Sequence, residues 1–181
     1  MVLTKSKYDE IYYQVIIENG IRKERIAGYT DYLELQCNWV FKKRYEDFLT
    51  RHNILTTDRI LELGGAVGYF KKVATELGYD ITSVDWSAWC KQNELSSIIE
   101  QDALSYLQAQ PDNSFDVIVS FTFLECFTNA KLVKLYLEMK RVGIKQIHQI
   151  PSEDTTNSYN LKTIVEYQSL LPDDTVIEFY G

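Results

Sequence analysis

Three acidic residues, Glu62, Asp85 and Asp102, each stand at or near the end of a short apolar run. Runs of this length that are rich in Ile, Leu and Val are typical of buried β-strands. Asp85 follows Glu62 at close to the spacing of about 20 residues that places a carboxylate beside a ribose in dinucleotide-binding folds. A carboxylate suits a ribose because its two oxygens can accept hydrogen bonds from both hydroxyl groups. The spacing therefore indicates a nucleoside-binding site at the ends of successive strands.

A glycine-rich turn, Gly64-Gly65-Ala66-Val67-Gly68, follows the first of these strands. Glycine permits a tight turn and lets a ligand approach the backbone closely. Behind the turn, apolar residues repeat at the spacing of one helix face, and Gly78 stands where a helix commonly ends. Strand, turn and helix together predict the first half of a nucleotide-type α/β unit.

The turn does not match two common phosphate-binding motifs. It lacks the Gly-Lys-Ser/Thr ending of a P-loop, and Ala66 stands where G-x-G-x-x-G requires its second glycine. The missing pattern, together with the third acid, Asp102, speaks against a nicotinamide-dependent oxidoreductase, which stays as a less favoured alternative. An α/β protein whose glycine turn has no cofactor role is a second alternative.

The segment from Glu62 to Gly68 resembles motif I of the class I S-adenosylmethionine-dependent methyltransferases, especially the small-molecule, type 11-like members. That motif commonly reads acid-x-Gly-x-Gly-x-Gly, and Ala66 replaces its middle glycine with another small residue. The stretch 115–120 with Leu124-Glu125 resembles the family's fourth-strand motif, which often continues Leu-Glu-His; Cys126 stands in place of that histidine. The resemblance covers chiefly residues 59–150.

The resemblance implies S-adenosylmethionine as the cofactor. Glu62 would hold its amino group, directly or through water, Asp85 would bind the ribose, and Asp102 with Ala103 would bind the adenine edge. Trp86 would either cover an adenine face or pack in the core. The residues expected to bind the cofactor are Glu62, Leu63, Gly64, Gly65, Ala66, Gly68, Asp85, Trp86, Ser87, Asp102, Ala103, Ser120, Phe121 and Tyr29.

Two residues are candidates for assisting methyl transfer. His148 lies near the end of the predicted fifth strand, and Glu125 follows the fourth. A strand histidine is more often structural, and the same alternative holds for Glu125. Transfer from an activated sulfonium depends mainly on alignment of the acceptor, so the reaction does not require an obvious base.

The composition excludes several classes of partner and site. The chain of 181 residues carries a net charge of −7, which gives no general attraction to nucleic acid phosphates. Its three cysteines are widely spaced, and with only two histidines no metal-binding pattern is visible. We expect a cytoplasmic protein without a secretory signal or a membrane span, because no apolar run is long enough for either.

Alternating strand and helix patterns predict a doubly wound α/β fold with a mostly parallel sheet of six or seven strands. We expect a single domain over residues 1–181, with an N-terminal cap or helical segment at 1–52 and a Rossmann-like core at 53–181. The β-branched run 115–120 should form a central strand beside the first. Helices are expected over about 30–49 and 159–170, and a last strand over 175–180.

Smaller features of the pattern are also predicted. Asn129 is expected to cap the helix after the fourth strand, and Gly143 to end it. Asn19-Gly20 indicates either a hairpin turn or, equally, a loop or short helix. The favoured function is methyl transfer to a small molecule, with a protein acceptor left open. The alternative from another class is a non-catalytic module that binds the cofactor or only a protein partner.

Overall fold

The computed structural model describes residues 16–18, 21–23, 39–151, 164–171 and 175–180. An antiparallel pair is formed by β1 (Ile16–Glu18) and β2 (Ile21–Lys23), which supports the hairpin alternative for this region. The larger sheet consists of β3 (Arg59–Leu63), β4 (Asp80–Asp85), β5 (Ile99–Glu100), β6 (Phe115–Phe121), β7 (Gly143–Pro151) and β8 (Thr175–Tyr180).

The helices connect these strands and flank the sheet. They are α1 (Trp39–Arg51), α2 (Tyr69–Glu76), α3 (Ala88–Gln92), α4 (Ala103–Gln108), α5 (Asn129–Val142) and α6 (Ile164–Leu170), with a 3₁₀ turn at Leu124–Cys126. The predicted starts of the first and last of these helices, near residues 30 and 159, lie outside the described residues.

The larger sheet has the order β5-β4-β3-β6-β7-β8, and all neighbouring strands are parallel. This confirms the predicted doubly wound sheet, with six strands. The run 115–120 lies centrally as expected, since β6 pairs with β3 and Leu63 stands opposite Ser120. Strand order reverses between β3 and β6, and ligands of such sheets bind at the carboxyl ends of the strands there.

Each face of the sheet is covered by its own set of helices. On the α1/α2 face, the rings of Tyr45, Phe48 and Phe70 meet Phe121 edge to face, with centroids 4.9–5.0 Å apart. On the α4/α5/α6 face, residues such as Ile118 and Ile150 of the strands join the buried side chains of these helices in one apolar cluster. The strands alternate between these faces, which fixes the layer into which each site residue points.

A polar network holds α1 against the far strands. The side-chain oxygen of Gln149 on β7 accepts from the Arg44 guanidinium at 2.7 Å, and its amide donates to Glu178 on β8 at 2.8 Å. Arg51 pairs with the same Glu178 carboxylate at 2.8 Å. These bonds satisfy a buried amide and fix the position of the helix over β7 and β8.

Of two predictions about the ends of α5, one is wrong and one is confirmed. The N-cap is Thr128, whose hydroxyl accepts from the Lys131 backbone N–H, because Thr128 and not Asn129 has the extended backbone that a cap requires. Gly143 is the residue at which the helix ends, as predicted, but its φ of −130° is extended and not left-handed, because it also begins β7. The expected glycine at the end of α2 is confirmed: Gly78 has a φ of +88°.

The missing side chain of Gly143 has a packing reason. A Cβ there would lie 2.5 Å from Cδ1 of Ile118, far closer than atoms in a packed core approach one another. Gly143→Ala should therefore destabilise the fold by about 1–3 kcal/mol through overpacking. Ile118→Ala alone should cost about 2–5 kcal/mol. Because alanine lacks both Cδ1 and Cγ1, which would lie 2.5 and 2.6 Å from the added Cβ, the double variant should lose less than the sum of the two.

Urea unfolding of the wild type, both single variants and the double variant measures this coupling. Additive losses in the double variant would show that Ile118 is not what requires a glycine at position 143.

Candidate functional site

The glycine loop bends around the carboxyl end of β4. Gly64 and Gly68 adopt left-handed φ values of +74° and +75°, which favour glycine. The backbone N–H groups of Gly64 and Gly65 both donate to the Val84 carbonyl, at 2.9 and 3.1 Å. Ala66 also has a positive φ of +48°, so the loop holds a non-glycine residue in an uncommon conformation at this point.

The Asp85 carboxylate joins this loop to the turn after β4. One oxygen accepts from the Ala66 backbone N–H at 2.9 Å, and the other accepts from the Ser87 backbone N–H at 2.8 Å. Asp85 is 6% exposed, so both bonds lie in a desolvated setting where hydrogen bonds are strong. A carboxylate oxygen can accept more than one hydrogen bond, so a ligand hydroxyl could bind here beside the backbone groups.

Glu62 lies beneath the loop. It is 3% exposed, and its Oε2 accepts from the Ser83 hydroxyl at 2.7 Å. A Cβ on Gly65 would lie 1.8 Å from Ser83 Oγ and 2.8 Å from Glu62 Oε2, so this pair requires a glycine above it. Burial raises the pKa of Glu62 to about 7. Leu63, which follows Glu62, is fully buried in the cluster of the α4/α5/α6 face.

Asp102 lies at the rim of the site, beyond β5. It caps α4 by accepting from the Ser105 backbone N–H at 3.1 Å, and its other oxygen lies 3.2 Å from Lys131 Nζ. The Lys131 ammonium also stands 5.0 Å from the centre of the Phe127 ring. Ala103 is buried directly behind Asp102. A ligand edge that binds Asp102 therefore meets a carboxylate already shared with a lysine.

The two tryptophans after β4 differ in packing. Trp89 packs against a small cluster of Val67, Cys90 and Ile98. Trp86 is half-buried and directly follows Asp85 at the carboxyl end of β4. Both expectations for Trp86, a ring that covers an adenine face and ordinary packing, stay open. Ser87, between the two tryptophans, caps α3 and is fully buried.

Phe123 is a site residue that the sequence analysis missed. A Cβ on Gly64 would lie 2.5 Å from Cδ2 of Phe123, so the phenylalanine ring rests directly on the glycine loop. Phe123 follows Thr122, a β-branched residue at a positive φ of +51°, and its ring meets Phe127 edge to face at 4.7 Å. The signal in the sequence was its position just past a strand that ends beside the glycine loop.

The structure separates Ser120 and Phe121 onto opposite faces of the sheet. Ser120 faces the α4/α5/α6 side, where its Oγ lies 2.8 Å from Nδ1 of His148 on the neighbouring strand. Phe121 belongs to the aromatic cluster of the α1/α2 face. Both Ser120 and His148 are fully buried, and burial lowers the pKa of His148 to about 3. His148 is therefore neutral at physiological pH.

Glu125 is the second candidate for assisting the reaction, and it is 1% exposed. Neither of its carboxylate oxygens has a hydrogen-bond partner in another residue of the described segments. Burial raises its pKa to about 7. Tyr29, the remaining candidate, lies outside the described residues.

The residues that the structure describes contain no group of three or more His, Cys, Asp or Glu side chains placed to hold a metal ion. No helix in the same ranges has the length and apolar character to cross a membrane.

Comparison with known sequences identifies the family. The sequence model described as "Methyltransferase domain" matches residues 36–179. The chain belongs to this methyltransferase domain family. No curated protein sequence matches it significantly.

Solved structures with the same fold include several methyltransferases. A SAM-dependent methyltransferase from Archaeoglobus fulgidus has a TM-score of 0.52 and 20% identity over 64% of this chain and 56% of that one. A putative methyltransferase of an antibiotic biosynthesis pathway from Anabaena variabilis has a TM-score of 0.60 and 16% identity over 74% of this chain and 60% of that one. Magnesium protoporphyrin IX methyltransferase from Synechocystis, solved with bound SAM, has a TM-score of 0.56 and 12% identity over 79% of this chain and 72% of that one.

These likenesses, all at low sequence identity, show the fold. The match spans less than two thirds of the length of the Archaeoglobus and Anabaena proteins.

The raised pKa of Glu62 predicts a dependence of stability on pH. Because the folded pKa of about 7 exceeds the ordinary value of 4.5, the folded state binds this proton more tightly than the unfolded state. The contribution of protonated Glu62 to the free energy of unfolding is therefore full below pH 4.5 and is lost as the pH rises to about 7. Glu62→Gln keeps an acceptor for Ser83 and removes the titration, so it should match the wild type at pH 4 and exceed it at pH 8 by about 3 kcal/mol.

Denaturant unfolding at several pH values measures this difference. Glu76→Gln, on the exposed side of α2, is the matched control and should follow the wild type throughout. Equal stability of Glu62→Gln and wild type at pH 8 would contradict the raised pKa.

Proposed function

We propose that this protein transfers a methyl group from S-adenosylmethionine to a small-molecule acceptor at the carboxyl ends of β3, β4 and β6. The observation that carries the proposal is the glycine loop between β3 and α2, tied by its backbone to Asp85 at the point where strand order reverses. Membership in the methyltransferase domain family supports the same activity.

The described residues fit this cofactor. The loop from Gly64 to Gly68 offers a bare backbone, and the Asp85 carboxylate has capacity for the ribose hydroxyls. Trp86 offers a ring face, while Asp102 with Ala103 forms the edge expected to meet the adenine. A cofactor that approaches Gly64 must displace the ring of Phe123, which rests there.

The bound cofactor would supply a methyl group on a positively charged sulfur, so the protein's main task is to align the acceptor. The loop and Asp85 would fix the donor side of the reaction. Glu62, which is buried beneath the loop, would support it from below and reach a ligand amino group only if the loop shifts. The aromatic pair Phe123 and Phe127 would cover the site and exclude water.

Two alternatives give different ligand-binding results. The strand order matches that of dinucleotide-binding sheets, so a nicotinamide cofactor is the rival enzyme reading on fold alone. A non-catalytic module that binds the cofactor would keep the loop and Asp85 but transfer no methyl group.

The proposal extends to the setting of the reaction. We place the protein in the cytoplasm because its three cysteines are widely spaced in the sequence and form no disulfide framework, and reduced cysteines are usual there. We propose one domain over residues 1–181, with an N-terminal cap or helical segment at 1–52 and a Rossmann-like core at 53–181. In the described part of that segment, Tyr45, Phe48 and Leu49 of α1 are buried against α2.

Calorimetric titration with S-adenosylmethionine and S-adenosylhomocysteine tests the cofactor. We expect micromolar binding by the wild type, and a loss of at least about tenfold in Asp85→Ala, because the loop loses its anchor and the ribose its acceptor. Asp80→Ala is the matched control, since Asp80 is exposed at the opposite end of the same strand. Binding of a nicotinamide cofactor instead would establish the rival enzyme class.

A second pair of variants separates ligand binding from stability. Trp86→Ala should weaken S-adenosylmethionine binding with little change in Tm. Trp89→Ala should lower the Tm, because Trp89 packs in an apolar cluster. Unchanged cofactor affinity in Trp86→Ala, together with a lowered Tm, would show that Trp86 is a core residue.

A further inference from the structure

One strand carries buried polar side chains on the face that helices α5 and α6 cover. Residues alternate between faces along β7, so Gln146, His148 and Ile150 point to the same side. Ile150 belongs to the apolar cluster of the α4/α5/α6 face. Gln146 is 4% exposed and His148 is fully buried. Two polar side chains therefore enter a layer that is otherwise apolar.

These side chains belong to a larger set of unsatisfied groups. Gln146 Oε1, His148 Nε2, Thr175 Oγ1 and both carboxylate oxygens of Glu125 are buried without a hydrogen-bond partner in any other described residue. Thr175 stands opposite Gln146 in the sheet, and the 3₁₀ turn that carries Glu125 contacts β7. We call Glu125, Gln146, His148 and Thr175 the polar row. It extends from the carboxyl edge of the sheet inward along β7.

Unsatisfied buried groups are rare in native proteins, and each normally indicates a water, a ligand or a catalytic role. The surroundings of the polar row have the composition of a ligand pocket, in which a few polar atoms lie among apolar side chains. Tyr167 of α6 is fully buried in the same cluster and interacts electrostatically with Glu125. The row is therefore placed between the sheet and α6 and not at the protein surface.

Among the described residues, no cationic side chain is directed at the polar row. His148 is neutral because burial lowers its pKa, and its Nδ1 is held by Ser120, which leaves Nε2 directed elsewhere. Two basic residues of α5 are paired away from the row, Lys131 with Asp102 and Arg141 with Asp112. The remaining two on this helix, Lys134 and Lys140, are exposed. A carboxylate or phosphate placed here would lose its hydration and gain no cationic partner from the described part of the chain.

We propose that the polar row binds the methyl acceptor, and that this acceptor is an uncharged molecule with hydroxyl or amide groups. The inference rests on the proposed function, because it names the substrate class for the same site. Gln146 Oε1 accepts from such a group, while His148 and Glu125 can donate or accept. Ser120 acts as a positioning residue, since its bond to Nδ1 fixes the His148 ring.

Two glutamines of β7 form a matched pair for testing stability. Gln146 and Gln149 are each 4% exposed and point to opposite faces, but Gln149 is bonded to Arg44 and Glu178. Gln146→Leu removes an unpartnered group and should raise the Tm by about 2–4 °C. Gln149→Leu leaves Arg44 and Glu178 without their bonds to the glutamine amide and should lower the Tm. A lowered Tm in Gln146→Leu would show that Gln146 is satisfied within the fold.

Binding is tested with small probes that share one aromatic ring. Benzyl alcohol and benzamide are neutral, benzoate is an anion and benzylamine is a cation. Each is titrated at millimolar concentration while the imidazole proton signals are followed by NMR, with and without S-adenosylhomocysteine. The chain has only two histidines, so His148→Leu assigns the signals. A neutral probe should shift the His148 signal, with affinity at least about tenfold weaker in Gln146→Leu and unchanged in Gln149→Leu.

Three results would overturn the inference: a shift caused only by a charged probe, no shift of His148 by either neutral probe, or equal loss of binding in both glutamine variants. The second result would leave ordered water as the partner of the polar row. Failure of the proposed function gives a different result, because the wild type would then show no calorimetric binding of S-adenosylhomocysteine.

Discussion

The geometry of the site depends on the bonds that the Asp85 carboxylate accepts from the backbone of Ala66 and Ser87. Gly64, Ala66 and Gly68 have positive φ values, a conformation that few residues other than glycine adopt without support. The bonds to Asp85 provide that support, and they join the loop after β3 to the turn after β4. The Gln101 backbone N–H donates to the Asp85 carbonyl at 2.9 Å, so the turn after β5 is fixed to the same residue.

The protonation of Glu62 is affected by its position beside Asp85. Burial is the main reason that the pKa of Glu62 is raised to about 7, and the negative charge of Asp85 acts in the same direction. Asp85 receives two backbone N–H groups, whereas the Glu62 carboxyl receives one bond, from a serine hydroxyl. Two carboxyls close together in a desolvated place can thus divide their roles, one accepting backbone bonds and the other held near neutrality.

The two faces of the sheet treat polar groups differently. On the α1/α2 face, Gln149 is fully engaged in a network that fixes α1 over β7 and β8. On the other face, Gln146 and His148 leave polar atoms without partners. Unsatisfied groups lower stability, so their position at one end of one face argues for a role in binding and not in folding.

The sequence was sufficient for those features that depend on local patterns. The apolar runs predicted the order of strands and helices, and the β-branched run 115–120 predicted the central strand. The acids at strand ends were placed together because parallel strands end at one edge of a sheet. Which face each side chain enters was harder to predict: Ser120 and Phe121 looked equivalent, yet they lie on opposite sides. Phe123 was missed because its contact with Gly64 depends on the left-handed turn at Thr122.

The residue that caps the N-terminus of α5 could not be predicted from the sequence pattern either. Thr128 and Asn129 are both good N-cap residues, and only the backbone angles decide between them. Gly143 ends the helix as predicted, but its backbone is extended because it also begins β7. A local helix-ending pattern does not contain the strand pairing that follows, so the left-handed turn usual for such a glycine is absent.

The most direct test of the central claim is a backbone amide NMR spectrum recorded with increasing S-adenosylmethionine. If the cofactor binds at the carboxyl edge of the sheet, we expect shifts for the amides from Gly64 to Gly68, for Ser87 and for the Trp86 indole, which all lie at that edge. The amides of Asp58, Asp80 and Asn113, at the opposite edge, should not move. Shifts confined to that opposite edge, or none in the glycine loop of a folded protein, would contradict the assignment of this edge as the cofactor site.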